Sequence, residues 1–276
     1  MSNFNLAVFE KSSLCRHFEN ETYKKIKTKI IKFPVYLSAG QEYVPSTVAE
    51  IVEKQKIKPD IFIQHRCHST YIAFGGSIKE IIDELLGKKS GCSGGMGGSA
   101  SIQCKSKNIY GHDGLMGSQV PIAVGACFAS KKPTIVFVGD SAVEEDYVLS
   151  AIGWAATKKL PILFVVEDND LSILTEKKVR RSWQIHKVAK GFGLDAFNIS
   201  DDPNDIKKHM QTAFLKPLLL NINTKRKYWH AGAGDDGEVF DRYHFEKNLL
   251  GKKAEEIDKK NRGIVKKLWK QQLEKQ

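Results

Sequence analysis

The chain has no run that approaches the roughly 18–20 apolar residues a membrane helix needs; its longest apolar stretches are PIAVGACFA (121–129) and PILFVV (161–166). The opening MSNFNLAVFEKSSLC has no basic region followed by an apolar core and a small-residue cleavage site, so it does not read as a signal peptide. Cysteine is sparse and odd in number, at 15, 67, 92, 104 and 127, with no spacing that suits zinc or a disulfide frame. Reduced, buried thiols in a cytoplasmic protein are expected. No G-x-x-x-x-G-K-[ST] occurs, which argues against a P-loop nucleotide hydrolase. No internal repeat or Pro/Ser linker divides the 276 residues. One domain is expected over 1–276, with N-terminal helices to about 60 and a basic helix over about 252–275.

Acidic charge is the minority: 32 Asp/Glu against 43 Lys/Arg leave a net charge of +11. The last 26 residues hold nine Lys/Arg and four Asp/Glu, so much of the excess sits in one solvated C-terminal helix. No nucleic-acid module signature accompanies the charge, and neither a nucleic acid nor a membrane is expected as a partner.

Apolar residues at helical spacing predict helices over 18–34 and 46–57, the second with Ser46 as N-cap, before a strand from Ile61. A Ser77-x-x-Glu80 capping box and Gly87 bound a third helix. The glycine-rich stretch 88–101 follows. Helices are then expected over 117–131, 142–159, 179–193, 203–216 and 253–275, with apolar strands at 133–138, 161–166 and from Pro217. Uninterrupted Val/Ile/Phe runs separated by a crossover helix imply parallel strands buried on both faces, hence a doubly wound α/β fold.

Open parallel sheets bind ligands beyond the carboxyl ends of their strands. Asp140 follows TIVFV and Asn169 follows ILFVV, so both should reach one edge of neighbouring strands. A carboxylate and an amide oxygen there suit a hard cation such as Mg2+ that keeps waters and substrate phosphates. The same residues also end strands as ordinary turn formers. GMGGSA (95–100) satisfies the letter of G-x-G-x-x-A, but no strand leads into it, which is the wrong context for a dinucleotide site.

With GHDGLMGSQVPIAVGA, IVFVGDSA and LPILFVVEDND in this order, the chain resembles the alpha subunit of the thiamine-diphosphate-dependent decarboxylating component of 2-oxo acid dehydrogenase complexes, of the pyruvate, acetoin and branched-chain type. That family's motif runs from Gly-Asp to Asn in about thirty residues, as Gly139-Asp140 to Asn169 does here. The resemblance, which spans about 38–232, implies Asp140, Asn169 and the Leu171 carbonyl as Mg2+ ligands. It further implies that Gly114 and Met116 hold the aminopyrimidine by backbone groups, and that Arg66, with its neighbour His65, meets the diphosphate. Gly139, Ser141 and Ala142 would add backbone contacts at a helix start. His230, and less directly His68, are the implied catalytic histidines, His230 also touching the diphosphate. Glu144 and Glu145, expected in the first turn of the crossover helix, are read as helix-dipole partners and not as the catalytic acid.

The implied partners are a 2-oxo acid substrate, a beta subunit that supplies the pyrimidine-binding domain and a catalytic glutamate in a heterotetramer, and a lipoyl-bearing acyltransferase as acceptor. Apolar helices such as VPIAVGACFA are available for contacts between subunits. The sequence departs from the family at Gly139-Asp140-Ser141, at His65 in place of a tyrosine, and at Tyr228-Trp229-His230-Ala231 in place of His-Gly-His-Ser. These departures keep open an alternative, a carboligase that delivers the two-carbon unit to an aldehyde or keto, possibly sugar, acceptor. A nicotinamide-dependent dehydrogenase using GMGGSA and a non-catalytic basic binding protein are the further rivals.

Overall fold

A computed structural model describes residues 3–112 and 114–275. Its centre is a six-stranded sheet in which every neighbouring pair is parallel. The strands are β1 (Asp60–Phe62), β2 (Ile109–Tyr110), β3 (Thr134–Gly139), β4 (Ile162–Asp168), β7 (Asp195–Ser200) and β8 (Leu218–Asn223), in the order β2-β1-β3-β4-β8-β7. β5 (Leu171–Ser172) and β6 (Thr175–Glu176) form a small antiparallel hairpin after β4. The doubly wound parallel sheet expected from the apolar runs is thus present.

Strand residues alternate between the two sides, as a period of two requires. Ile135, Phe137, Leu163, Val165, Leu218 and Leu220 enter one buried cluster, and Val136, Val138, Phe164, Val166 and Leu219 the other. The second side is covered by α5 (Gln119–Ser130), α6 (Asp146–Thr157) and α8 (Ile185–Gly191). The first carries α1 (Asn3–Lys27), α2 (Tyr43–Lys54), α3 (His68–Ala73), α4 (Ile78–Leu85), α9 (Pro203–His209), α10 (Arg242–Leu250) and α11 (Lys252–Leu273). α7 (Lys177–Arg180) is a single turn after the hairpin. No helix among the described residues is long and apolar enough to cross a membrane.

Several boundaries differ from expectation, each for a local reason. α1 begins at Asn3, because residues 3–17 bury a mixed face in which Ser12, Ser13, Arg16 and His17 lie inside beside Phe4, Val8, Phe9 and Cys15. Arg16 meets Glu42 at 2.5 Å and forms a two-bond fork with Asp241 at 2.8 Å. Ser46 is not an N-cap; α2 starts at Tyr43, with Pro45 in its first turn. The helix expected over 142–159 is a 3-10 turn (Ala142–Glu144) and α6, separated by extended backbone at Glu145. The 179–193 segment likewise splits into α7 and α8, and 203–216 is helical only to His209. Ser77 does cap α4, accepting from the Glu80 amide.

The glycine-rich stretch wraps a buried carboxylate. Glu84, in the last turn of α4, accepts backbone N–H groups from Ser93 (2.7 Å), Gly95 (2.9 Å), Gly97 (2.7 Å) and Gly98 (3.1 Å). The amides that make GMGGSA look like a phosphate loop therefore surround a side chain of the same protein. The loop then reaches the strand ends: the Ser99 hydroxyl lies 2.9 Å from His68 Nε2, and Cys67 Sγ contacts the Ser99 carbonyl. Glu84→Ala would leave four half-buried amides without their acceptor and should cost about 3 kcal/mol, read as a lowered urea midpoint at unchanged slope.

Candidate functional site

Register places the site. Gly139 of β3 lies opposite Glu167 of β4, so the chain turns away from the sheet at Asp140 and Asn169 on one edge. β1 adds Gln64, His65 and Arg66 to the same edge, and the loop after β8 brings His230. Together they wall a cavity of 310 Å³. Met116, Gly139, Ser141, Ala142 and Leu171 also line it. The structure thus gathers ten of the twelve residues singled out in the sequence. Gly114 is not on the wall; its amide donates to His112 Nδ1 at 3.0 Å. His68 is not there either: it is fully buried beneath the edge, with Nδ1 3.2 Å from Glu19 and Nε2 on Ser99.

Asp140 is 2% exposed, and burial followed by the neighbouring Asp168 pushes its pKa up to about 6, against the pull of Arg180. Arg180 Nη2 donates to Asp140 Oδ2 at 2.5 Å, and the same guanidinium pairs with Glu144. Arg181 Nη1 donates to the Asp140 carbonyl at 2.7 Å and lies 3.2 Å from Glu144. Glu144 and Glu145 line the cavity. Glu144 is therefore a counter-ion to two arginines, not a residue in the first turn of α6. Asn169 accepts the Leu171 amide on Oδ1 at 3.0 Å and donates Nδ2 to Gln41 Oε1 at 2.9 Å.

Arg66 and two histidines also line the cavity. Arg66 is buried, donates to the Leu37 carbonyl at 2.8 Å and the His230 carbonyl at 3.3 Å, and lies 3.2 Å from His230 Nδ1. Burial and then Arg226 lower its pKa to about 10. Burial followed by Arg66 also lowers His230 to about 4 and His65 to about 2, so both imidazoles are neutral at pH 7. The two rings stand 5.5 Å apart, and the Tyr36 ring meets each edge-on. Neither His65 nitrogen has a hydrogen-bond partner among the described residues.

Glu167 was not foreseen. It lines the cavity, accepts from Gln64 Nε2, and is raised by burial to about 7. A carboxylate at the end of a strand buried on both faces was the available signal. Arg180, Arg181 and Gln41 were missed because nothing local distinguishes them; only the tertiary fold brings them to Asp140 and Asn169.

A doubly wound parallel sheet with a polar cavity across the carboxyl ends of its central strands is an α/β protein built to hold a ligand at that edge. The chain belongs to the dehydrogenase E1 component family, whose sequence model matches residues 10–275. It is 30% identical over 248 residues to the pyruvate dehydrogenase E1 component subunit alpha-1, mitochondrial, of Arabidopsis thaliana, covering 85% of this chain and 62% of that one. It is 32% identical over 240 residues to the pyruvate dehydrogenase E1 component subunit alpha of Rickettsia felis, covering 81% and 72%. The chain thus spans about three fifths of the plant relative's length. A solved transketolase from Leishmania mexicana shares the fold, with a TM-score of 0.63 at 14% identity, over 100% of this chain and 47% of that one.

The neutral histidines set an acid limit. Folding lowers both pKa values from 6.5, so the unfolded chain binds more protons below that pH and stability falls as pH drops. The loss begins near pH 6.5 and continues to about 4 for His230 and about 2 for His65. His65→Phe should reduce the slope of stability against pH between pH 6 and 4 by about one proton, read from urea midpoints across that range.

Proposed function

We propose that the chain is the alpha subunit of a thiamine diphosphate- and Mg2+-dependent enzyme that decarboxylates a 2-oxo acid and passes the acyl unit to a lipoyl group. The observation that carries this is the meeting of Asp140 and Asn169, from adjacent strand ends, with Arg66 and His230 on one cavity. The donor set fits a diphosphate-bound ion. Among the described residues no three His, Cys, Asp or Glu side chains converge as a metal site. One carboxylate, one amide oxygen and the Leu171 carbonyl would leave positions for phosphate oxygens, as Mg2+ prefers. The Arg180 guanidinium already rests on Asp140, so this carboxylate is arranged to face a cation.

Thiamine diphosphate, when bound, supplies the carbanion-stabilising chemistry that releases carbon dioxide. The protein's share is placement. Asp140, Asn169 and Leu171 would hold the ion; Arg66, with five N–H donors, and the Ser141 and Ala142 backbone would hold phosphate oxygens. Gly139 and Met116 would support the cofactor by backbone contact, whereas Gly114, off the cavity wall, would act only through the turn it makes with His112. His65 offers a neutral ring whose nitrogens have no partner among the described residues and would be available to a ligand. His230, also neutral, could accept a proton at the cavity wall, whereas the role left to His68 is support of the loop and strand end beneath it.

Glu144 is engaged by two arginines, so the acid that completes the chemistry would come from a beta subunit in a heterotetramer. An apolar surface is available for such a partner: Ile122 and Phe128 of α5 and Trp154 of α6 are exposed, the last two rings 4.8 Å apart. The relatives' names favour the dehydrogenase reading over ligation to a sugar-like acceptor. A cytoplasmic location belongs to the same proposal.

The test is mild purification of the chain from its native cells, with assay for thiamine diphosphate and for a stoichiometric second chain. Both should be present. Asp140→Ala should weaken Mg2+-dependent cofactor binding about 100-fold or more, beyond the 10–100-fold typical of losing an outer-sphere partner. Normal binding by this variant would refute the assignment.

A further inference from the structure

Gln41 stands just before α2 and is 1% exposed. Its Oε1 takes the Asn169 Nδ2–H at 2.9 Å. The two ends of an asparagine amide have nearly the same size, yet only the oxygen can ligate a cation. An acceptor behind the nitrogen therefore selects which end is left for the ion. The Leu171 N–H at 3.0 Å from Oδ1 favours the same orientation, and Leu171 shares the cavity wall with Asn169.

Gln41 has the same ambiguity, and Glu167 resolves it. The Glu167 carboxylate accepts from Gln64 Nε2 and has Gln41 among the groups that favour its charge. A reversed Gln41 would turn its oxygen toward that carboxylate and its N–H group toward the Asn169 N–H. Donation thus converges on Glu167, from Gln64 directly and from Asn169 through Gln41.

We propose that Gln41, oriented by Glu167, is a positioning residue that presents the carbonyl end of Asn169 to the metal ion. This rests on the function proposed above. Nothing at the sequence level marks Gln41, which lies 128 residues from Asn169.

The test is a Mg2+ titration of the full chain, with whatever subunit co-purifies, at fixed thiamine diphosphate, followed by calorimetry and compared with urea unfolding of the same preparations. Gln41→Met has a similar volume and removes both the acceptor that faces Asn169 and the N–H group that faces Glu167. It should raise the Mg2+ half-saturation about 10-fold, the usual scale for an outer partner, with little change in urea midpoint. The double exchange Gln41→Glu with Glu167→Gln restores an acceptor facing Asn169 and a donor facing residue 41, and should return the half-saturation to near wild type. An unchanged half-saturation in Gln41→Met, with wild type binding normally, overturns the inference alone. Wild type that binds neither Mg2+ nor thiamine diphosphate overturns the proposed function with it. If Gln41→Met does not fold, the double exchange decides: near-wild-type affinity supports the inference, and a loss of 10-fold or more refutes it.

Discussion

The parallel pairing of β3 with β4 governs the rest of the molecule. Six consecutive pairs from Thr134–Ile162 to Gly139–Glu167 hold the two strands in step, and both are buried on each face. A slip of one residue would exchange their faces, moving Phe137 and Val165 out of one cluster and into the other. The same slip would turn Asp140 relative to Asn169. Packing that decides the core therefore also decides the geometry of the edge.

That edge concentrates buried charge. Asp140, Glu167 and Asp168 end the two central strands, and each has its own compensation: Arg180, Gln64 and Lys177. Arg66 and two imidazoles that remain uncharged line the same cavity. A buried charge is costly unless paired and hydrogen-bonded, and the interior tolerates this density because each acid has its own donor.

Much of this was legible in the sequence. Continuous apolar runs gave away the central strands because burial on both faces leaves no polar alternation, and the strand-end residues followed from them. β7 escaped notice because DAFNIS, at the sheet border, alternates buried and exposed positions with no strong β-branched run. α1 was half hidden because serines, an arginine and a histidine, with partners far along the chain, interrupt the apolar Phe4, Val8, Phe9 and Cys15 on its inner face. The cavity's second layer was illegible for the same reason: the partners of Asp140 and Asn169 are 40, 41 and 128 residues away.

The loop around Glu84 has a consequence for how such chains vary. A side chain on Gly95 would strike the Gly87 carbonyl at 2.7 Å, and one on Gly97 would strike the Ser101 carbonyl at 2.3 Å. A side chain on Gly91 would meet the Glu84 carboxylate at 2.4 Å. The glycines and the acid thus serve one loop: a side chain at any of the three would displace it, and loss of the acid would leave its amides without their acceptor. Among descendants of a common ancestor they should be kept or lost as a block, so a glycine-rich signature here records the ancestry of a scaffold rather than the identity of a ligand.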